Sequence, residues 1–174
     1  MTLILETKRL LLRQFELTDT AFIIKLLNTD EWIKYIGDRH IKTEAAARDY
    51  LLGGPLKSYE SNGFGLSLVL LLETGAPIGM CGLIKRDTLE DIDIGFAFLP
   101  EYTGKGYGAE ITEATLGYAQ KTLGLKRVIA ITLAENTSSI RLLKRSGMLF
   151  EKTIQMGDEE LLQFGIDLNM VTKN

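Results

Sequence analysis

The 174-residue chain has one cysteine, one histidine and three prolines, and these scarcities narrow its chemistry before any motif is read. With Cys81 alone no intrachain disulfide can form, which points to a reducing compartment and hence to the cytoplasm. With His40 alone, histidine-rich metal sites are excluded and no metal is expected; a histidine triad could form only around that residue. No apolar run approaches the roughly 20 residues that span a bilayer. Met1 to Arg13 lacks the apolar block and cleavage site of a signal peptide, so no membrane partner is expected. There is no Lys/Arg block either, and a net charge of -3 with a pI near 5.3 argues against a nucleic-acid partner. A mildly acidic surface suits a cationic acceptor, although solubility alone asks for the same small charge.

What is present is an ordinary globular composition, 45% apolar and 25% charged, enough for one hydrophobic core and a single domain over residues 1–174. Alternating apolar residues from Lys8 to Gln14 predict a first strand. Thr18 or Asp19 then caps a helix with Phe22, Ile23, Leu26 and Leu27 at helical spacing, ended by Asn28-Thr29-Asp30. Thr43 opens a second helix, which Gly53-Gly54-Pro55 is expected to break, with another turn over Leu56 to Tyr59. Two apolar runs, Gly65 to Leu72 and Ile78 to Ile84, flank the turn residues Glu73 to Pro77 and predict a hairpin.

From Asp91 to Leu99, the residues Ile92, Ile94, Phe96 and Phe98 alternate with Asp93, Gly95 and Ala97, a half-buried strand stopped by Pro100. It leads into Gly104-Lys105-Gly106-Tyr107-Gly108 and a helix to about Leu123, closed by Gly124. A strand at 126–133, a helix from Asn136 to Arg145 with Gly147 behind it, and a hairpin from Met148 to Leu168 complete the chain. This order predicts a mixed α/β (α+β) fold rather than a doubly wound parallel sheet.

Gly104, Gly106 and Gly108 stand between a strand end and a helix start, where main-chain N–H groups lack partners and the helix dipole is positive. Glycine there lets the backbone approach an anion that a Cβ would hold off. The same pattern also serves as a plain entry loop. A Walker A loop would need Ser or Thr after Lys105, where Gly106 stands, and a Rossmann fingerprint would need a parallel βαβ unit. Lys105 can pair with a phosphate or simply be solvated.

Taken in order, Glu6-Thr7-Lys8-Arg9-Leu10-Leu11-Leu12-Arg13, Gly79-Met80-Cys81-Gly82, Asp93-Ile94-Gly95-Phe96 through Pro100-Glu101-Tyr102, the glycine turn, and Asn136, Ser139 and Gly147 on one helix resemble the GCN5-related N-acetyltransferase (GNAT) superfamily. The resemblance is to the branch that includes the ribosomal-protein N-terminal acetyltransferases. It implies a mostly antiparallel central sheet, flanked by helices and splayed between the strands at 91–99 and 126–133. Acetyl-CoA is the implied cosubstrate: its pantetheine arm would lie along the backbone of Phe96, Ala97, Phe98 and Leu99. Its pyrophosphate would rest on Gly104 and the amides of Lys105, Gly106, Tyr107, Gly108 and Ala109, and Asn136 would bond the arm. The turn departs from the family in carrying Thr103 where Gln or Arg usually begins it.

The implied reaction moves an acetyl group to a primary amine, on a protein N-terminus or a small molecule, by direct transfer in a ternary complex. An α-amino group, with a pKa of about 7.7 to 8.0, is often neutral at pH 7, whereas a lysine-like amine near 10.4 seldom is. His40 lies far upstream, so a carboxylate acting through water, or positioning alone, is expected. Asp93 stands where many relatives carry Glu and is the leading base, or else a solvent-facing strand residue. Ser139 matches a serine placed near the thioester sulfur, or is a helix-surface hydroxyl; the tyrosine that other branches use is replaced by Leu143. Trp32, Tyr35 and Tyr59 fall in segments that would wall the acceptor pocket or pack in the core. Cys81, in an apolar strand without a cationic neighbour, reads as structural. A non-catalytic acyl-CoA sensor is the alternative function. The oligomeric state is open, with a homodimer among the arrangements allowed.

Overall fold

A computed structural model of the protein describes residues 1–169. Eight strands form one sheet in the order β1 (Leu3–Glu6), β2 (Leu10–Arg13), β3 (Leu66–Leu71), β4 (Pro77–Ile84), β5 (Asp93–Phe98), β6 (Arg127–Thr132), β8 (Glu159–Asp167) and β7 (Leu149–Met156). Every neighbouring pair is antiparallel except β5 and β6. The mixed fold predicted by the element order, and the mostly antiparallel central sheet that the resemblance implies, are therefore observed.

Between β2 and β3 lie α1 (Thr20–Leu27), α2 (Asp30–Tyr35), α3 (Glu44–Leu51) and α4 (Lys57–Asn62); α5 (Tyr107–Lys121) follows β5 and α6 (Thr137–Arg145) follows β6. The period-2 alternation of β5 divides its side chains between two cores. Ile94, Phe96 and Phe98 join the apolar cluster made with Ile111, Leu116 and Ala119 of α5 and Leu143 of α6. Ala97 and Leu99 join the opposite cluster, built by Phe22, Ile23, Leu26 and Leu27 of α1 and by Ala47 and Leu51 of α3. Ile23, Leu26, Ala47 and Leu51 have no exposed surface. Full burial of a leucine or isoleucine contributes about 1.5–3 kcal/mol, so the α1–α3 layer is held mainly by this contact.

One local expectation is extended and two are corrected. Asn28-Thr29-Asp30 ends α1 but also starts α2: the Thr29 hydroxyl accepts the Trp32 N–H at 3.3 Å, with Asp30 and Glu31 in the first turn, where the dipole favours acids. Gly53-Gly54-Pro55 does not break the second helix. The chain continues through a wider π turn, Leu52–Leu56, into α4, and the widening moves away the carbonyl that the Pro55 ring would strike in a regular helix. The expected first strand is preceded by another, β1, too short to carry a period of its own.

Candidate active site

Strands β5 and β6 touch only at their start. Their one paired position is Asp93 with Ile129, and the Ile129 N–H donates to the Ile92 carbonyl at 3.0 Å. Beyond it the strands part, while β5 stays paired with β4 from Asp93 to Phe98 and β6 with β8 from Arg127 to Thr132. Backbone groups alternate sides along a strand. Because the Ile92 carbonyl faces β6 and the Leu99 N–H donates to the Ile78 carbonyl of β4 at 2.9 Å, the groups of Phe96 and Phe98 face the gap. Those of Ala97 and the Leu99 N–H face β4, while the Leu99 carbonyl accepts the Tyr102 N–H at 2.9 Å. Of the four residues expected to offer backbone groups to the gap, only Phe96 and Phe98 therefore do so, and the Ala97 side chain lines the cavity as a wall. The gap opens into a cavity of about 1220 Å³ that Trp32, Tyr35, Asp93, Phe96, Ala97, Asn136 and Ser139 all line.

At the far end of β5 the glycine turn forms. Gly104 and Gly106 have φ of +73° and +83°, the left-handed region that costs most residues about 1–2 kcal/mol. Gly106 is the N-cap of α5 and its carbonyl accepts the Glu110 N–H at 3.1 Å. Among the described residues, the N–H groups of Lys105, Gly106, Tyr107, Gly108 and Ala109 donate no hydrogen bond. A Cβ on Gly108 would stand 2.5 Å from Leu142 Cδ1, so this position lets α5 and α6 approach. The Thr103 hydroxyl is turned back on the Pro100 carbonyl at 2.8 Å, and Lys105 Nζ lies 5.6 Å from the centre of the Tyr102 ring.

Across the gap, Asn136 caps α6: its Oδ1 accepts the Ser139 N–H at 3.2 Å. Among the described residues, Asn136 Nδ2 and the Ser139 hydroxyl make no hydrogen bond, so both remain available to the cavity they line. Leu143, one turn on, is buried and offers no proton.

Asp93 is 1% exposed, which removes the solvent-facing reading. It shares a sheet face with Ala97, on the side that carries α1 to α3. Its Oδ1 accepts Arg86 Nε at 3.0 Å. Burial pushes the carboxyl above its ordinary value, and the Arg86 charge and hydrogen bond pull it back. Sequence reasoning missed Arg86, which stands beyond the end of β4; the register pairing Ile84 with Asp93 is what brings it near. Also missed was the strap at the closed end of the gap. Arg127 reaches Asp91 at 2.9 Å and Glu151 at 2.6 Å, and Gln163 donates to Glu151 at 3.0 Å.

Tyr59 is placed elsewhere. Its hydroxyl accepts the Phe15 N–H at 3.0 Å and donates to the Leu66 carbonyl, tying α4 to the start of β3 and away from the large cavity. Cys81 is fully buried, with its thiol raised to about 11 by burial, so it stays protonated and inert at neutral pH. The His40 side chain is 83% exposed, beside Asp38.

Residues 9–149 match the family model of the acetyltransferase (GNAT) domain. The uncharacterised N-acetyltransferase YnaD of Bacillus subtilis (strain 168) is 32% identical over 157 residues, 88% of this chain and 89% of that protein. The crystal structure of a GNAT-family acetyltransferase from Bacillus anthracis superposes with a TM-score of 0.78 at 28% identity, covering 94% of this chain and 98% of the other. RimL, the ribosomal L7/L12 α-N-protein acetyltransferase solved with coenzyme A, superposes with a TM-score of 0.80 at 12% identity, over 95% of this chain and 97% of that one, and shares the fold.

Proposed function

This chain belongs to the GNAT family of acetyl-CoA-dependent acetyltransferases, and on that premise we propose that it transfers acetyl directly to a primary amine with the residues gathered around the gap. Residues 1–174 act as one such domain. The observation that carries the reading is the adjacency of two unpaired backbone features: the β5 edge at Phe96 and Phe98, and the free amides from Lys105 to Ala109. The first suits an extended amide-bearing arm, which hydrogen-bonds like another strand, and the second a diphosphate at a helix N-terminus. Coenzyme A carries both on one molecule. Asn136 Nδ2 donates to the arm from the opposite wall.

Aminolysis of the thioester forms an N–C bond and breaks the C–S bond; one proton leaves the amine and one ends on the departing sulfur. Asp93 faces the acceptor side and takes the amine proton through water. The Ser139 hydroxyl, free on the other wall, donates to the thiolate. Trp32 and Tyr35 wall the acceptor pocket.

A buried carboxylate already committed to Arg86 is a modest base, so the reading favours amines that are often neutral by themselves. Release of free thiol from acetyl-CoA, followed against a panel of amines at pH 7, tests this. An α-amino acceptor should exceed a lysine-like one by about a few hundredfold in kcat/KM, the ratio of their neutral fractions. Equal rates for both amine classes would remove the weak-base reading, and no thiol release with any amine would remove amine transfer itself.

A further inference from the structure

We propose that Arg9, in the short link between β1 and β2, is a positioning residue for the donor's diphosphate cradle: it cancels the Glu110 charge in the first turn of α5 and straps the Lys105 carbonyl. The proposal rests on the reading that the glycine turn receives a diphosphate.

Glu110 stands one turn into α5, next to free amides that favour an anion. A carboxylate in a first helical turn is stabilised by the dipole, yet it would compete with and repel a diphosphate bound at the same helix end. Here the carboxylate is fully engaged on the other side. Oε1 accepts the Thr7 hydroxyl at 2.7 Å and the Arg9 N–H at 3.0 Å, and Oε2 accepts Arg9 Nε at 2.6 Å. These bonds hold Glu110 ionised and directed at Arg9.

The same guanidinium continues to the turn. Arg9 Nη1 donates to the Lys105 carbonyl at 3.0 Å, and Arg9 Cζ lies 4.5 Å from the centre of the Tyr107 ring. A Cβ on Gly106 would stand 3.3 Å from Arg9 Nη2, so the guanidinium packs against the left-handed residue that caps the helix. One side chain thus contacts Lys105, Gly106, Tyr107 and Glu110. Fixing the Lys105 carbonyl fixes the peptide plane that carries the Gly106 amide. Lys105, the turn's own cation, is drawn to the Tyr102 ring. Arg9 is therefore the guanidinium that sets both the shape and the charge of the cradle.

The test compares two donors on the full-length enzyme: acetyl-CoA, and S-acetyl-pantetheine, which keeps the thioester arm and lacks the diphosphate. Arg9→Gln should raise KM for acetyl-CoA about tenfold, with kcat/KM for the truncated donor changed less than about twofold. Arg9→Lys keeps the charge but not the fork, and should fall between Arg9→Gln and the parent. Glu110→Gln removes the charge that needs cancelling; combined with Arg9→Gln it should recover part of the lost affinity. Equal losses on both donors would mean that Arg9 only supports the fold, and would overturn the proposal, as would an Arg9→Gln enzyme indistinguishable from the parent. A parent enzyme that uses both donors equally well would instead overturn the cradle reading beneath it.

Discussion

Arg86 Nε lies 3.0 Å from Asp93 Oδ1, and this contact joins an arginine that is 36% exposed to a carboxylate that is almost wholly enclosed. Burial penalises the ionised carboxylate and Arg86 offsets part of that penalty. The net direction is upward from 3.8. A carboxyl raised in the folded state binds its proton more tightly there than unfolded. Its stabilisation is therefore complete below the unfolded value and is lost as pH rises through the folded one. If Asp93 must be ionised to accept the amine proton, the same group sets an acid limb on kcat. Arg86→Gln should move that limb to higher pH, since it removes the lowering influence, and Asp93→Asn should abolish the limb with a drop of about 10²-fold or more in kcat. A pH profile of unchanged shape in both variants would remove Asp93 as the base.

Asn136 carries two roles that its two side-chain atoms separate. Oδ1 caps α6, and loss of an N-cap costs about 0.5–2 kcal/mol. Nδ2 is the proposed contact to the donor. Asn136→Ala should lower both thermal stability and acetyl-CoA affinity, whereas Asn136→Asp keeps a capping oxygen and loses the donor. The aspartate variant is expected to melt within a few degrees of the parent and to bind coenzyme A about tenfold more weakly in calorimetry. Parental affinity in that variant would confine Asn136 to capping.

Tyr59 offers the opposite separation. Its hydroxyl satisfies the Phe15 N–H and reaches the Leu66 carbonyl, and it stands outside the cavity that Trp32 and Tyr35 line. Tyr59→Phe should cost about 1–3 kcal/mol in urea unfolding, because buried backbone groups lose a partner. The KM for any amine acceptor should stay at its parental value in the protein that remains folded. A rise in acceptor KM without loss of stability would return Tyr59 to the acceptor pocket.

Elements with strong periodicity were legible in the sequence. The alternation from Ile92 to Phe98 and the spacing of Phe22, Ile23, Leu26 and Leu27 each specify a core-facing side; the structure buries all four helix residues and packs the half-buried Ile92, Phe96 and Phe98 against the same core as the buried Ile94. Features decided by junctions were not. Thr29 both ends one helix and caps the next, and Pro55 is absorbed by a π turn, so punctuation residues that usually separate elements here connect them. The glycine turn and the Asn136 cap were visible because they are local. Arg86 and Arg9 were not, since their partners depend on hairpin register and on a contact across 101 residues. Gly95 and the odd-numbered members of β5 illustrate a further limit: sequence alternation assigns faces, but which backbone groups are free depends on which neighbour departs, and β6 leaves after Asp93.

The cradle can also be tested at Gly106, with Arg9 itself left unchanged. At φ +83° any other residue carries a backbone penalty of about 1–2 kcal/mol, and its Cβ would meet the Arg9 guanidinium at 3.3 Å. Gly106→Val adds branching to both problems and brings methyl groups to the turn whose amides are free. Coenzyme A affinity should fall at least about tenfold, more steeply than stability alone explains. Gly124 provides the matched control: it too is left-handed, at +67°, but follows α5 at its far end with open space around its Cβ position. Gly124→Val should therefore cost comparable stability in a melt while leaving coenzyme A binding by calorimetry near the parental value. If both variants lose affinity equally, the loss reports general destabilisation and the turn is not the diphosphate site; if Gly106→Val alone loses it, the amides between Lys105 and Ala109 are where the donor's charge rests.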